Sequence, residues 1–340
     1  MSPYYYGGTV GDETEVRLDA GPYRLVTQSD FDGVVSAALL RSLGIIEQVK
    51  FVHPRDVQNR LIELGEWDIS SGLPFIEGVA AAFNHHLSDS LKSGNSKRYI
   101  CDPHAPSSAR VIWDYFGGNS KVSGIPDDLM DAVDKSSSGN FSKDEVLSAT
   151  GWSLLYFVID ARTGLGRFGT FRISNQQLMI DLTEYCLELS VDEILELPDV
   201  SERVQLYRRN EERFAEQIKR CSTVWHNVLV VDLTGEDEIL PGNRYVKYAL
   251  FDEVNVSVQI MWGFERQYLI IMAAKSIFDK TCSVNIGALM TQQGGGGHAD
   301  AGTCQVPTDD APKAVEQIVR RLCVIDESSA LPRYKYQGPG

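Results

Sequence analysis

Apolar and polar positions along this chain fall into two textures. From Tyr23, short apolar runs alternate with stretches of helical spacing. Tyr23-Arg-Leu-Val-Thr27 predicts a strand that ends in the polar turn Gln28-Ser-Asp-Phe-Asp-Gly33. Val34 to Leu43 predicts a helix, closed by Gly44, a residue that helix ends favour. Val49 to His53 predicts a second strand, Gln58 to Leu64 a short helix, and Asp68 to Ser71 a third strand breaking at Leu73-Pro74. Val79 to Phe83 predicts a fourth strand, running into Asn84-His85-His86; Ala109 to Tyr115 and Asp127 to Val133 predict helices. Strands alternating with helices imply a parallel, doubly wound α/β sheet, whose sites lie at the carboxyl ends of its strands. Residues 191–224 are charged and helical in pattern. From Asn227 the pattern turns to strands: Val228 to Asp232, Val246 to Phe251, Val254 to Ile260 and Tyr268 to Met272. A last helix is predicted from Ala311 to Cys323.

The expected architecture is therefore an α/β chain of two domains. Residues 1–22 form an arm, 23–190 the parallel domain, 191–225 a helical connector, 226–325 a smaller mixed-sheet α/β domain, and 326–340 a tail. A length of 340 residues suits two domains. The net charge of −15 argues against coating duplex nucleic acid or an anionic membrane, while leaving room for a small anionic ligand in a locally positive pocket. Six cysteines with no C-x-x-C pair suggest neither a zinc ribbon nor a disulfide framework. No apolar run approaches the ~18 residues of a membrane span, and the first residues lack the pattern of a signal peptide. A cytoplasmic location is expected, and a homodimer is among the arrangements left open.

Four clusters could carry chemistry. Asp30-Phe-Asp32-Gly33 follows a strand and could offer oxygen ligands to Mg²⁺ or Mn²⁺, or could simply cap the next helix. Asn84-His85-His86 could give one histidine to a metal and one to a substrate oxyanion, or form a satisfied loop pair. Gly294 to Gly297 before His298 could converge amide groups on an anion, or be a flexible loop. Arg162, Arg167 and Arg172 form a positive island suited to phosphate, or a solvated turn.

Taken in this order, the clusters resemble the DHH phosphoesterase superfamily with its DHH-associated C-terminal domain, over roughly residues 23–325. Val26 to Leu40 resembles the first motif, Phe83-Asn-His-His86 the Asp-His-His triplet, and Ala132-Val-Asp134-Lys the fourth motif. Ser276-Ile-Phe, Asn285-Ile-Gly287 and Gly294 to Gly302 resemble the signature of the C-terminal domain. Arg162 to Phe168 and Gly242-Asn-Arg244 are similar to the exopolyphosphatase-like subset. Family members hydrolyse phosphoesters with two Mn²⁺ or Mg²⁺ ions. The resemblance implies metal ligands Asp30, Asp32, His85 and Asp134, with Gln28 where the family has a histidine. It implies catalytic roles for Asp30, Asp32, His85 and His86. Substrate would meet His86, Arg162, Arg167, Lys275, Ser276, Gly295, Gly296, Gly297 and His298. Gly72 stands where a bridging aspartate is expected, and Asn84 where the triplet has an aspartate, placing an NH₂ donor where an acceptor is expected. With one carboxylate fewer, one tight ion is expected rather than two.

The expected function is a metal-dependent phosphohydrolase acting on a short oligonucleotide, a cyclic dinucleotide or polyphosphate, with reduced or altered activity. The alternative is a non-catalytic phosphate or nucleotide binder that keeps the cleft. A processive nuclease of RecJ type is disfavoured by the acidic charge. The two domains are expected to face each other across a cleft.

Overall fold

The computed structural model describes residues 18, 21–86, 96–122 and 124–323. The chain forms two compact units, one of residues 1–138 and 173–194, the other of residues 139–172 and 195–340. In chain order the first unit supplies β1 (Tyr23–Gln28), α1 (Phe31–Ser42), β2 (Ile46–Val52), α2 (Pro54–Gln58), β3 (Asp68–Ser71), β4 (Ala81–Asn84), β5 (Tyr99–Cys101), α3 (Ser108–Tyr115) and α4 (Asp127–Ser138). The second unit begins with α5 (Lys143–Leu147) and α6 (Gly151–Ile159). The first is completed by α7 (Asn175–Glu188). Then follow α8 (Val191–Glu196), α9 (Pro198–Arg220), β6 (Ser222–Trp225), β7 (Val228–Asp232), α10 (Val246–Leu250), β8 (Val256–Trp262), β9 (Tyr268–Lys275), α11 (Ile286–Gln292), β10 (Gly296–Gly297), β11 (Ala301–Pro307) and α12 (Ala311–Leu322).

In the first unit the sheet order is β2-β1-β3-β4-β5, every pair parallel. Strand direction of travel reverses between β1 and β3, so a crevice is expected beyond their carboxyl ends. Helix α1 explains the run of small apolar residues: Val34 to Leu40 are all fully buried, because the helix packs on β1 and β2 and also on α3, α4 and α7. Gly33 is forced at its start. A Cβ there would lie 2.1 Å from the Gln28 carbonyl oxygen, so any side chain would push the helix off the end of β1.

The second unit holds a six-stranded mixed sheet, β10-β11-β9-β8-β7-β6, in which only β7 and β8 pair in parallel. Val228, Val230, Val256, Val258, Ile260, Leu269 and Ile271 form its apolar core with α11 and α12. The two-unit α/β class expected from the pattern is thus the observed one.

Three local expectations are corrected. The helix expected at Gln58 to Leu64 lies earlier, at α2, because Pro54 opens it and the His53 ring nitrogen accepts from the Arg55 amide at 3.1 Å; Arg60, with φ of 57°, follows its end. The apolar run Val246 to Phe251 is helical rather than extended. Asn243 Oδ1 accepts from the Tyr245 amide at 2.9 Å, and the Val246 amide reaches the Asn243 carbonyl at 3.1 Å, which sets a helical turn. Residues 222–225, expected to continue the helix before them, form β6 against β7.

The glycine run is an ordered hairpin. Gly296 and Gly297 pair with Thr303 and Gly302. A Cβ on Gly295 would sit 2.1 Å from the Thr303 carbonyl oxygen, whereas one on Gly296 would meet nothing within 4 Å. Gly295→Ala is therefore expected to cost about 1–3 kcal/mol by overpacking. Gly296→Ala should stay within about 0.5 kcal/mol of the parent. Urea unfolding of both variants checks this, and equal stabilities would contradict it.

Candidate active site

Three residues singled out from the sequence, Gln28, Gly72 and Asn84, meet at the carboxyl ends of β1, β3 and β4. The Gln28 side-chain amide donates to the Gly72 carbonyl. Gly72 has φ of 64°, and a Cβ on it would point between Ser108 Oγ at 3.3 Å and Gln28 Nε2 at 3.4 Å. The Gln28 side chain thus lies beside the space a side chain at position 72 would enter.

Asn84 is fully buried, and both its Oδ1 and its Nδ2 are hydrogen-bonded. Oδ1 accepts from the backbone amides of His85 at 2.8 Å and His86 at 3.0 Å, and Nδ2 donates to the Leu73 carbonyl at 2.8 Å. This corrects the expectation of a misplaced donor. The NH₂ group has an acceptor, and two amides facing Oδ1 fix which way the amide points. The arrangement turns the chain after β4 so that both histidines follow the strand end, their rings 4.2 Å apart.

The first turn of α3 gathers the rest. Ser107 is its N-cap, with Oγ accepting from the Arg110 amide at 3.0 Å. The two oxygens of Asp32, on α1, accept from the amides of Ser108 at 2.9 Å and Ala109 at 2.8 Å. Ser107 Oγ donates to Asp134 Oδ1 at 2.7 Å, and the Arg110 guanidinium grips Asp134 Oδ2 at 2.8 and 2.5 Å. Ser108 Oγ lies 2.9 Å from His85 Nδ1. Asp30 has a structural task, capping α1 by accepting from the Gly33 amide at 2.9 Å.

Burial raises the Asp32 carboxyl above its ordinary range against the pull of the α3 amides, with Asp134 adding to the rise. Burial lowers the His85 imidazole, and Asp134 only partly offsets this, so the ring is neutral at pH 7. Ser108 Oγ also hydrogen-bonds Asp32. Its single proton goes to the stronger acceptor, the carboxylate, which leaves it to accept from His85 Nδ1–H. Nε2 of His85 is then the basic nitrogen.

These residues do not form a ready ion cage. Among the described residues no group of three histidines, cysteines, aspartates or glutamates is placed to hold a metal. Asp32 faces two amides, and Asp134 already faces a cation, the Arg110 guanidinium.

The second unit holds the other expected residues. The amides of Gly294, Gly295 and His298 donate to Thr291, Met290 and Ala301 carbonyls, so they are not open to an anion. Lys275 pairs with Asp300 at 3.0 Å, and Ser276 Oγ caps a turn by accepting from Phe278 and Asp279 amides. Arg162 is tied to Asp160 at 2.7 Å. Burial works against the Asp160 charge, but Arg162 and Arg244 hold it below its usual value. Arg167 lines a cavity of about 310 Å³ with Phe168, Trp262, Glu238 and Arg266. Sequence reasoning missed Ser107, Ser108 and Arg110, although a Ser-Ser pair before an apolar helical run is an N-cap signal. It noted Arg244 only as part of a motif and gave no sign of Lys247.

No family model matches the chain, and no curated protein does. Among solved structures, a pGpG-specific phosphodiesterase, PggH, from Vibrio cholerae is 46% identical, with a TM-score of 0.78, over 88% of this chain and 98% of that one. CDC45 from Entamoeba histolytica is 9% identical with a TM-score of 0.53, over 89% of this chain and 95% of that one, a likeness of fold alone. RecJ in complex with Mn²⁺ from Thermus thermophilus is 11% identical with a TM-score of 0.45, over 88% of this chain and 52% of that one.

The Asn84 geometry gives a test. An aspartate there sets a carboxylate oxygen against the Leu73 carbonyl and loses the donor. Asn84→Asp should cost about 1–3 kcal/mol at pH 7. The new carboxyl would have a raised pKa in the folded state. Its penalty should shrink as the pH falls through that value and the group becomes a donor again. Urea melts at pH 7 and pH 5 measure both effects; a variant as stable as the parent at pH 7 would refute the hydrogen-bond assignment.

Proposed function

Because this chain belongs to the DHH phosphoesterase superfamily, we propose that it is a phosphodiesterase that cleaves short oligonucleotides, with a 5′-phosphorylated guanine dinucleotide of the pGpG kind as its leading substrate. One observation carries the reading: the likeness to a pGpG-specific phosphodiesterase runs through both units at an identity too high for fold alone. The acidic surface fits a small substrate better than a long polyanion. The weakened activity expected from the substituted residues has no support from that relative.

His85 is the proposed proton carrier. It is neutral, oriented through Nδ1 by Ser108, and leaves Nε2 to take a proton from an attacking water. Asp32, held by the α3 amides, supports it through the Ser108 hydroxyl. In this arrangement Asp134 is neutralised by Arg110, so no step is assigned to an ion, and an Mn²⁺ or Mg²⁺ requirement stands as an expectation of the family resemblance. That ion pair favours the second reading, a binder of the same ligands without turnover.

The deciding experiment incubates the purified protein with pGpG, with and without added Mn²⁺ or Mg²⁺, and follows release of mononucleotide. Hydrolysis by the parent is expected. His85→Ala should lower kcat by about 10²-fold or more, in the range that general acid–base groups contribute, while melting at the parent temperature. Tight pGpG binding without product under every ion condition would replace the phosphodiesterase reading with the binder. Full activity of His85→Ala would remove the histidine from the mechanism.

A further inference from the structure

In the second unit three cations lie close together with one carboxylate among them. Arg162 and Arg244 face one acid, Asp160, and Lys247 lies near Arg244. Arg162 takes the near oxygen at 2.7 Å. Arg244 Nε stops 4.0 Å from the other, too far for a hydrogen bond, and is buried with no hydrogen-bond partner among the described residues. Its Nη2 holds the hydroxyls of Tyr156 at 3.1 Å and of Tyr245, and its guanidinium lies 4.5 Å over the Tyr245 ring. That fixes the side chain while leaving a donor unsatisfied. Lys247 is only 9% exposed. Its ammonium lies 5.4 Å from the centre of the Tyr248 ring, and no carboxylate is paired with it among the described residues. Burial, with Arg244 beside it, pushes the ammonium down to about 8, so at pH 7 it is mostly charged. A buried, charged lysine without a paired carboxylate, next to an arginine with an orphaned donor, is costly unless an anion completes it.

We propose that Arg244 and Lys247, with Arg162 beside them, form the seat of a terminal phosphomonoester, the 5′-phosphate of the oligonucleotide substrate. The seat rests on the phosphodiesterase reading only for the identity of the molecule that carries the phosphate. Charge selects the group. Arg162 pairs with Asp160, which leaves the charges of Arg244 and Lys247 without a hydrogen-bonded carboxylate among the described residues. A phosphomonoester carries nearly two negative charges at pH 7, whereas an internal diester carries one. Donor geometry agrees, since a monoester offers three oxygens to a guanidinium edge and an ammonium. The neighbouring Tyr156 and Tyr245 hydroxyls keep Arg244 from collapsing onto Asp160 when the seat is empty.

The test is a calorimetric titration of the full-length protein with pGpG and with unphosphorylated GpG, with excess chelator to suppress ion-dependent cleavage and chromatography of the titrated samples to verify that both dinucleotides stay intact. The parent should bind pGpG at least about 10-fold more tightly. Lys247→Met and Arg244→Gln should each reduce that ratio to below about threefold, and Lys247→Arg should restore most of it; melting temperatures identify any variant that fails to fold. No preference in the parent, or a preference kept by both variants, overturns the seat. The proposals separate cleanly. Cleavage of both dinucleotides in Mn²⁺ with equal affinities would sink the seat and leave the phosphodiesterase. A Lys247-dependent preference with no cleavage under any ion condition would keep the seat and sink the phosphodiesterase.

Discussion

The candidate active site depends on one helical turn. The first four residues of α3 and its cap hold Asp32 from α1, His85 from the end of β4 and Asp134 from α4. They do so with amides at positions 108 and 109, which any helix N-terminus leaves unsatisfied, and with the serine hydroxyls at 107 and 108. A carboxylate at a helix start gains from the helix dipole as well as from the hydrogen bonds. Here that gain does not fully offset burial, so Asp32 stays harder to ionise than a surface aspartate. The same turn thus positions Asp32 and sets its proton affinity. Its link to His85 through Ser108 is short enough that a change at either residue is felt by the other.

Substitutions that look like losses in the sequence are compensated in space. Gln28 turns its amide onto the Gly72 carbonyl at the spot where a longer residue at 72 would project. Asn84 uses an NH₂ group that an aspartate lacks. Arg110 brings a cation to Asp134. Each repair is local and each replaces a charge interaction by a hydrogen bond or an internal ion pair. Asp32 and Asp134 are thus held by backbone amides, a hydroxyl and one internal ion pair. Counting ligands along the sequence therefore overstates how bare the site is.

Much of the fold was legible, and for a clear reason. β1, β4 and β7 are apolar runs bounded by polar turns, and the polar clusters at 28–33 and 84–86 fall at strand ends, where parallel sheets place their sites. What failed was context. Val246 to Phe251 is apolar enough for a strand, yet a single Asn243 side chain bonding to the backbone makes it a helix. The glycine run reads as free backbone, but its amides close a helix end and a hairpin. At two of those glycines, Gly295 and Gly297, a Cβ would meet a backbone oxygen at 2.1 and 2.3 Å, a packing demand that a sequence cannot display. The roles of Arg110 and Lys247 were invisible because each depends on a partner distant in the chain, or on the lack of one.

The contrast between the surface and the second unit's interior bears on selectivity. A chain of net charge −15 repels long polyanions over roughly a Debye length, about 8 Å at physiological salt. Lys247 is buried and Arg244 half-buried, so their field is screened less than that of surface charges. Distance therefore favours small, mobile ligands, and contact favours those with a doubly charged end. Neither property requires a base-specific contact. Length and phosphorylation state would be read by electrostatics alone, leaving discrimination between bases to another surface.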